Sequence, residues 1–173
     1  MTSDGSVYTW GADNYGQLGR GAGGATKKAP EPREATPGKA GISGATAVAC
    51  GAEFTLVLAN GKVHACGMPQ YGQLGNGTDG SFNKSDSSIK LAYEPHPRLS
   101  PVLGELATLT CRAIACGTNH SLAADSDGGL WSWGNGGYGR LGHNVQKDEL
   151  LPRKIDFFKV CVSVANATLK CQA

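Results

Sequence analysis

Four groups of residues in this sequence have types and spacing that could do chemistry. The run Gly134-Asn135-Gly136-Gly137-Tyr138-Gly139 has the G-x-G-x-x-G spacing of a dinucleotide-binding turn. In such a turn the backbone approaches a pyrophosphate and a following helix aims its first N–H groups at it. Leu141-Gly142-His143-Asn144 cannot start that helix, and the equivalent run Gly11 to Gly16 carries Asp13 in place of the middle glycine. The spacing is read as the by-product of a glycine turn, and no cofactor is assigned. His64 and Cys66 lie two apart and so share one face of a strand, as two metal ligands would. No second pair at ligand spacing is evident. The same two positions hold Tyr8 and Trp10, then Trp131 and Trp133, which makes a packing layer between neighbouring units the expectation, and no metal. His120-Ser121 sets an imidazole beside a hydroxyl without an acid partner or a nucleophile elbow. His120 stands where Phe54 stands earlier, and is expected to be a hydrogen-bonded structural ring. Lys27, Lys28, Arg33 and Lys39 are diluted by Glu31 and Glu34 and read as a solvated loop, with a phosphate-contacting arm as the weaker alternative. No catalytic residue is assigned, and the chain is expected not to be an enzyme.

The elements that would position these residues come from a repeat. Residues 5–19, 61–75 and 128–142 align without a gap, so that Trp10, Gly11, Tyr15, Gly16 and Leu18 correspond to Cys66, Gly67, Tyr71, Gly72 and Leu74, and to Trp133, Gly134, Tyr138, Gly139 and Leu141. A second register links Cys50-Gly51 to Cys116-Gly117, the latter followed by His120. A third sets Pro32-Arg33, Pro97-Arg98 and Pro152-Arg153 eighteen or nineteen residues before Cys50, Cys116 and Cys171, which makes Leu169-Lys170-Cys171 the expected opening strand of a further repeat. Self-similarity of this kind is the signature of a repeat architecture.

Composition agrees. Gly is 26 of 173 residues and charged residues are 17 %, the balance of many short strands joined by tight turns. Asn60-Gly61 is a hairpin signal and Asp127-Gly128 a turn signal. The stretches 20–44 and 76–101 lack apolar periodicity and read as variable surface loops, with Thr78 to Lys90 the most open to proteolysis. Val102 to Ile114 is the one weak helical candidate, and Gly104 argues against it. The class is all-β. Units of about 55 to 67 residues with some four strands each fit the blades of a propeller. A formal charge of +2 gives little sequence-independent attraction for nucleic acid or an anionic membrane. The absence of a long apolar run and of a basic-then-apolar N-terminus reads as an intracellular protein, cytoplasmic or nuclear. The six cysteines are expected to be reduced and mostly buried, and the sequons at Asn76, Asn83, Asn119 and Asn166 to be chance.

The elements Val48-Ala49-Cys50-Gly51, His120-Ser121-Leu122, Val7-Tyr8-Thr9-Trp10-Gly11 and Tyr15-Gly16-Gln17-Leu18-Gly19 closely resemble the regulator of chromosome condensation repeat. The third copy, through His143 and Gln146-Lys147-Asp148-Glu149, is similar to the telophase-disk branch of that family. The resemblance implies a β-propeller, seven-bladed in the founding member, which is the nucleotide exchange factor of the GTPase Ran. For the branch it implies association with mitotic chromosomes, microtubules and Rho- or Arf-type GTPases. The acidic and polar residues with which the founding member works on Ran find no match here. The expectation is therefore a partial propeller of about three blades, with its ring not closed, spanning residues 1–173. It would act as a non-enzymatic protein-interaction scaffold, the alternative being an exchange factor or regulator of a Ran-, Rho- or Arf-type GTPase. Chromatin is the weaker partner, no membrane is expected, and self-association through open blade edges is.

Overall fold

The computed structural model describes residues 1–21, 37–83, 91–93 and 96–156. The expectations for Lys27, Lys28, Arg33, Asn166 and the Leu169 to Cys171 strand concern residues outside these. Among the described residues all regular structure is antiparallel sheet with two 3-10 turns, Glu105–Thr108 and Gly137–Gly139.

Two four-stranded sheets form the body. The first contains β3 (Ala45–Cys50), β4 (Phe54–Ala59), β5 (Lys62–Gly67) and β8 (His96–Pro101), hydrogen-bonded in that order. The second repeats it with β9 (Cys111–Cys116), β10 (His120–Asp125), β11 (Leu130–Gly134) and β12 (Glu149–Lys154). Before them, β1 (Tyr8–Thr9) pairs with β2 (Gly38–Lys39), the third and fourth strands of the same plan. A side hairpin, β6 (Ser81–Asn83) with β7 (Leu91–Tyr93), leaves the first sheet before β8.

Local sequence explains the pleats. Asn60 and Gly61 both have positive φ, 51° and 72°, as a two-residue hairpin between β4 and β5 demands. The 3-10 turn at Glu105 follows Gly104 at φ 79° and replaces the weak helical candidate. Strands β5 and β11 each end in a bulge at an equivalent point, before Gly67 and Gly134. A Cβ at either glycine would strike backbone, Glu53 O in one sheet and Asn119 O in the other, because the loop between the first two strands of the same sheet closes over it. That closure is a hydrogen bond, Met68 N–H to Glu53 O in one sheet and Asn135 N–H to Asn119 O in the other, each 2.9 Å.

The cores lie between sheets. Strand β4 is buried along its whole length, which suits a run that is apolar except for Thr55. Phe54, Leu56 and Leu58 pack toward the second sheet with Val63, Ala65, Ala123, Trp131 and Trp133. Val57 and Ala59 pack the other way, with Val7, Ala40 and Ala45. Burying both faces in this manner is how propeller blades are held together.

Two stretches read from sequence as loops are partly strand. Gly38–Lys39 and His96–Pro101 are the outermost strands of their sheets. They escape periodicity because β2 is two residues long and β8 contains two prolines, which a sheet edge accepts.

Candidate functional site

The repeated turn after each third strand is where one sheet grips the next. In the first turn Gln17 Oε1 accepts the Tyr15 N–H at 2.9 Å, and in the second Gln73 Oε1 accepts the Tyr71 N–H at 2.8 Å. With its side chain committed to its own turn, each glutamine presents its backbone carbonyl to the following sheet. Gln17 O accepts Thr55 Oγ1 at 2.8 Å and Cys66 Sγ at 3.5 Å. Gln73 O accepts Ser121 Oγ at 2.7 Å and the Trp133 indole Nε1 at 2.9 Å. Gln73 and Ser121 are buried, so both bonds at this second junction form away from water.

Glycine permits the contact. At Gly72, φ 79°, a Cβ would lie 2.6 Å from Leu150 Cα, backbone of the next sheet. Gly16, Leu18, Leu74 and Leu141 are buried, and Tyr15 and Tyr71 are half-buried.

The third turn departs from this pattern. Arg140 stands in the glutamine's place and can only donate, and its Nε reaches Gly137 O at 2.8 Å. Tyr138 takes φ 58°, unlike Tyr15 and Tyr71, and is 92 % exposed, with the Arg140 guanidinium 5.8 Å from its ring centre. Gly139 is exposed and has open space where its Cβ would be. The expected packing layer is corrected at the opposite end as well. Trp133 is fully buried while Trp10 is 61 % exposed and Tyr8 41 %, since among the described residues no turn stands before Trp10 to receive its indole. Gly11 is exposed for the same reason.

Cys50 is exposed rather than buried, whereas Cys66 and Cys111 are buried and Cys116 half-buried, all as free thiols. Cys50 and Val48 line a groove of about 380 Å³ with Tyr8, Trp10, Leu18 and Phe54. Burial, reinforced by the charges of Asp13 and Cys50, pushes the Cys66 thiol up to about 12, and burial acts likewise on Cys116. Both stay protonated at neutral pH and serve as packing groups.

His120 lays its ring on Gly117 as Phe54 lays its own on Gly51, close enough that a Cβ on either glycine would overlap the ring. The expected hydrogen bond is not made at Nδ1, which is buried and has no partner among the described residues. Burial first and Arg140 second hold the imidazole below the usual histidine range. Ser121, committed to Gln73 O, is no nucleophile. His64 is half-buried, its Nδ1 3.3 Å from Lys62 O, and burial lowers it too. Among the described residues no three His, Cys, Asp or Glu side chains gather as a metal site requires. The G-x-G-x-x-G run has a three-residue 3-10 turn where a helix would be needed, and Gly136 N–H is taken by Asp148 Oδ1 at 2.8 Å. Lys39 of the basic stretch lies exposed on β2.

Two buried polar groups escaped the sequence reading. Ser132 Oγ donates to Leu141 O at 2.6 Å and lies 3.0 Å from His143 Nε2. With its proton given to a carbonyl, Ser132 accepts from the imidazole, the reverse of a nucleophile and its base. Thr9 Oγ1, 2.8 Å from Leu18 O and receiving Arg20 Nε at 3.3 Å, is the same device two repeats earlier, with Ala65 at the position between them, and the first and third copies carried that signal. Asp125 accepts Trp131 Nε1 and the Gly129 and Asp127 N–H groups. Burial pushes its carboxyl up, but these bonds and Lys154 outweigh it and leave the group below the usual range.

Four-stranded sheets stacked face to face and interlocked through a recurring turn define a β-propeller, here with its ring not closed. The sequence pattern of the Regulator of chromosome condensation (RCC1) repeat matches residues 4–58, 60–124 and 127–167, and the chain belongs to that family. It is similar to the Protein RCC2 homolog of Xenopus laevis, 39 % identical over 91 % of this chain and 32 % of that protein. It is also similar to the E3 ubiquitin-protein ligase HERC2 of Homo sapiens, 33 % identical over the whole of this chain and 3 % of that protein. The fold resembles the crystal structure of human WBSCR16 with a TM-score of 0.67 and 27 % identity, covering 90 % of this chain and 36 % of that one. The chain thus spans about a third or less of the length of these relatives. No helix among the described residues is long and apolar enough to cross a membrane.

Proposed function

We propose that the chain is a non-enzymatic protein-interaction scaffold, in which interlocked blades hold variable connections against a protein partner. One observation supports this reading above the rest. Each repeated turn is followed by a connection to the outermost strand, and these connections, 20–37, 76–95 and 143–148, differ in length and sequence while the flanking strands keep one plan. Constant frame and divergent connections at one position are the arrangement by which a scaffold carries recognition. The buried polar groups support it further, since Gln73 and Ser121 at a junction, and Ser132 and His143 at the third turn, have structural bonds to satisfy. The competing reading, exchange on a Ran-, Rho- or Arf-type GTPase, comes from the family alone.

Two measurements separate them. Purified chain mixed with Ran, Rho and Arf GTPases carrying fluorescent GDP should leave release at its intrinsic rate, and acceleration of any one would overturn the non-enzymatic reading. Affinity capture with the chain, and with a variant whose residues 76–95 are replaced by a short Gly-Ser linker, should lose specific partners in the variant. Identical captures would place recognition elsewhere.

A further inference from the structure

Asparagine followed by glycine occurs three times in the chain, at Asn60-Gly61, Asn76-Gly77 and Asn135-Gly136, each time among the described residues. The dipeptide is labile, because a glycine amide has no side chain to hinder its attack on the carboxamide carbon before it. The attack requires that amide to be unbonded and the carboxamide free to swing toward it. Two of the three pairs are locked. Gly77 N–H donates to Leu150 O at 3.0 Å, while the half-buried Asn76 side chain accepts Thr78 N–H at 3.3 Å and lies 3.3 Å from His96 Nε2. Gly136 is buried and donates its N–H to Asp148 Oδ1 at 2.8 Å, and Asn135 Oδ1 accepts Gly137 N–H at 3.1 Å. Asn60 differs on both counts. It is exposed at the tip of the β4–β5 hairpin, where Ala59 pairs with Lys62 and the Gly61 N–H donates to nothing among the described residues. Among the same residues its side chain makes one hydrogen bond, Nδ2 to Ser43 O at 3.3 Å, open to solvent.

We propose that Asn60 is a deamidation site built into this hairpin, with Gly61 N as the nucleophile. The Gly61 nitrogen forms a bond to Asn60 Cγ and gives up its proton to solvent, the Cγ–Nδ2 bond breaks, and Nδ2 leaves as ammonia. Water then opens the cyclic imide at either carbonyl, leaving aspartate or its iso-aspartyl isomer at position 60. Both flanks of the hairpin are occupied by the chain itself, Gly44 on one side and Thr110 on the other. The aspartyl product fits this frame, since Asp4 and Asp127 hold the aligned position in the other two copies. The iso-aspartyl product does not. It adds a carbon to the backbone between Asn60 N–H, which donates to Gly44 O at 3.1 Å, and Gly61 O, which accepts Cys111 N–H at 2.8 Å. Those two bonds tie the hairpin to the start of its own sheet and to the start of the next, so the modification acts on the joint between consecutive sheets.

Peptide mapping by mass spectrometry, with aspartyl and iso-aspartyl products resolved, tests it on the full chain held at pH 8 below its unfolding temperature and, in parallel, in urea. In urea, where local sequence alone governs, the three Asn-Gly pairs should convert at similar rates. In the folded chain Asn60 should lead Asn76 and Asn135 by about tenfold, the scale of one hydrogen bond that must open before the glycine amide reacts. Ammonia release should match the Asn60 product, and Asn60→Gln, which enlarges the ring that must close, should remove most of it. Asp148→Ala frees the Gly136 amide and should raise conversion at Asn135 without moving Asn76. Equal rates at the three pairs in the folded chain, or a lead by Asn76 or Asn135, overturns the proposal. So does an Asn60 that stays intact in the folded chain while it converts in urea, or an Asp148→Ala chain that folds and leaves Asn135 unchanged. Should Asp148→Ala fail to fold by circular dichroism, the ranking in the wild-type chain decides alone.

Discussion

Replacing Trp133 with alanine isolates what a blade junction is worth. The side chain is fully buried and its indole donates to Gln73 O of the preceding sheet. A buried tryptophan removes about 150–250 Å² from water, which at about 25 cal/mol per Å² amounts to about 4–6 kcal/mol. Part of that surface stays covered by the new methyl and by relaxation around it, while the lost hydrogen bond adds about 1 kcal/mol. The expected loss of unfolding free energy is about 3–5 kcal/mol. Trp10 provides the internal control, being the same residue at the same repeat position. It keeps only about two-fifths of its surface covered, so its truncation should cost the folded unit about 1–2 kcal/mol. Urea titration followed by circular dichroism, with chain dilute enough to be monomeric, measures both. Equal losses for the two variants, or a loss under 1 kcal/mol for Trp133→Ala, would refute the blade register.

Two further expectations follow from the geometry. Gly72→Ala must force a Cβ against Leu150 backbone and should cost more than 3 kcal/mol, whereas Gly139→Ala meets open space and should cost only about 1 kcal/mol for its positive φ, and urea midpoints give the ranking. His120→Phe copies Phe54 into the equivalent seat and removes the unpartnered Nδ1, so it should be neutral or stabilising by about 1 kcal/mol at pH 8. Because burial holds the His120 imidazole below its ordinary value, the unfolded chain binds the proton first, and wild-type stability falls as pH drops below about 6.5. The advantage of His120→Phe should therefore widen between pH 8 and pH 5, read from unfolding curves at each pH, and an advantage that narrows would show the ring to be stabilised when charged.

The all-β class, the Asn60-Gly61 hairpin and the propeller plan were legible because each depends on local chemistry or on self-similarity along the chain. The RCC1 repeat family was legible for the same reason. What was not legible depended on neighbours in space. Trp10 and Trp133 read alike in sequence and differ in exposure because, among the described residues, a turn stands before Trp133 to receive its indole and none before Trp10. The outer strands β2 and β8 were hidden in loop-like sequence since an edge needs neither length nor alternation and tolerates proline. The unpartnered Nδ1 of His120 could not be foreseen from a ring-for-ring match with Phe54, as the match fixes volume and says nothing of hydrogen-bond partners. The Ser132–His143 pair lay in plain view as the counterpart of Thr9 and Arg20, and became readable once the bond to Leu141 O showed which group donates.

Hydrogen exchange at three equivalent glycines tests most directly that each repeated turn is fixed by the sheet that follows it. The amides of Gly16, Gly72 and Gly139 donate the same local bond, to Asp13 O, Pro69 O and Gly136 O, so their intrinsic protection is matched. Among the described residues only the first two turns are seated on a following sheet. In dilute chain, Gly16 and Gly72 should exchange only through opening of the whole unit and Gly139 through local fluctuation, far faster. Equal protection at all three would mean that the turns are rigid by themselves and that the junctions do not hold the blades.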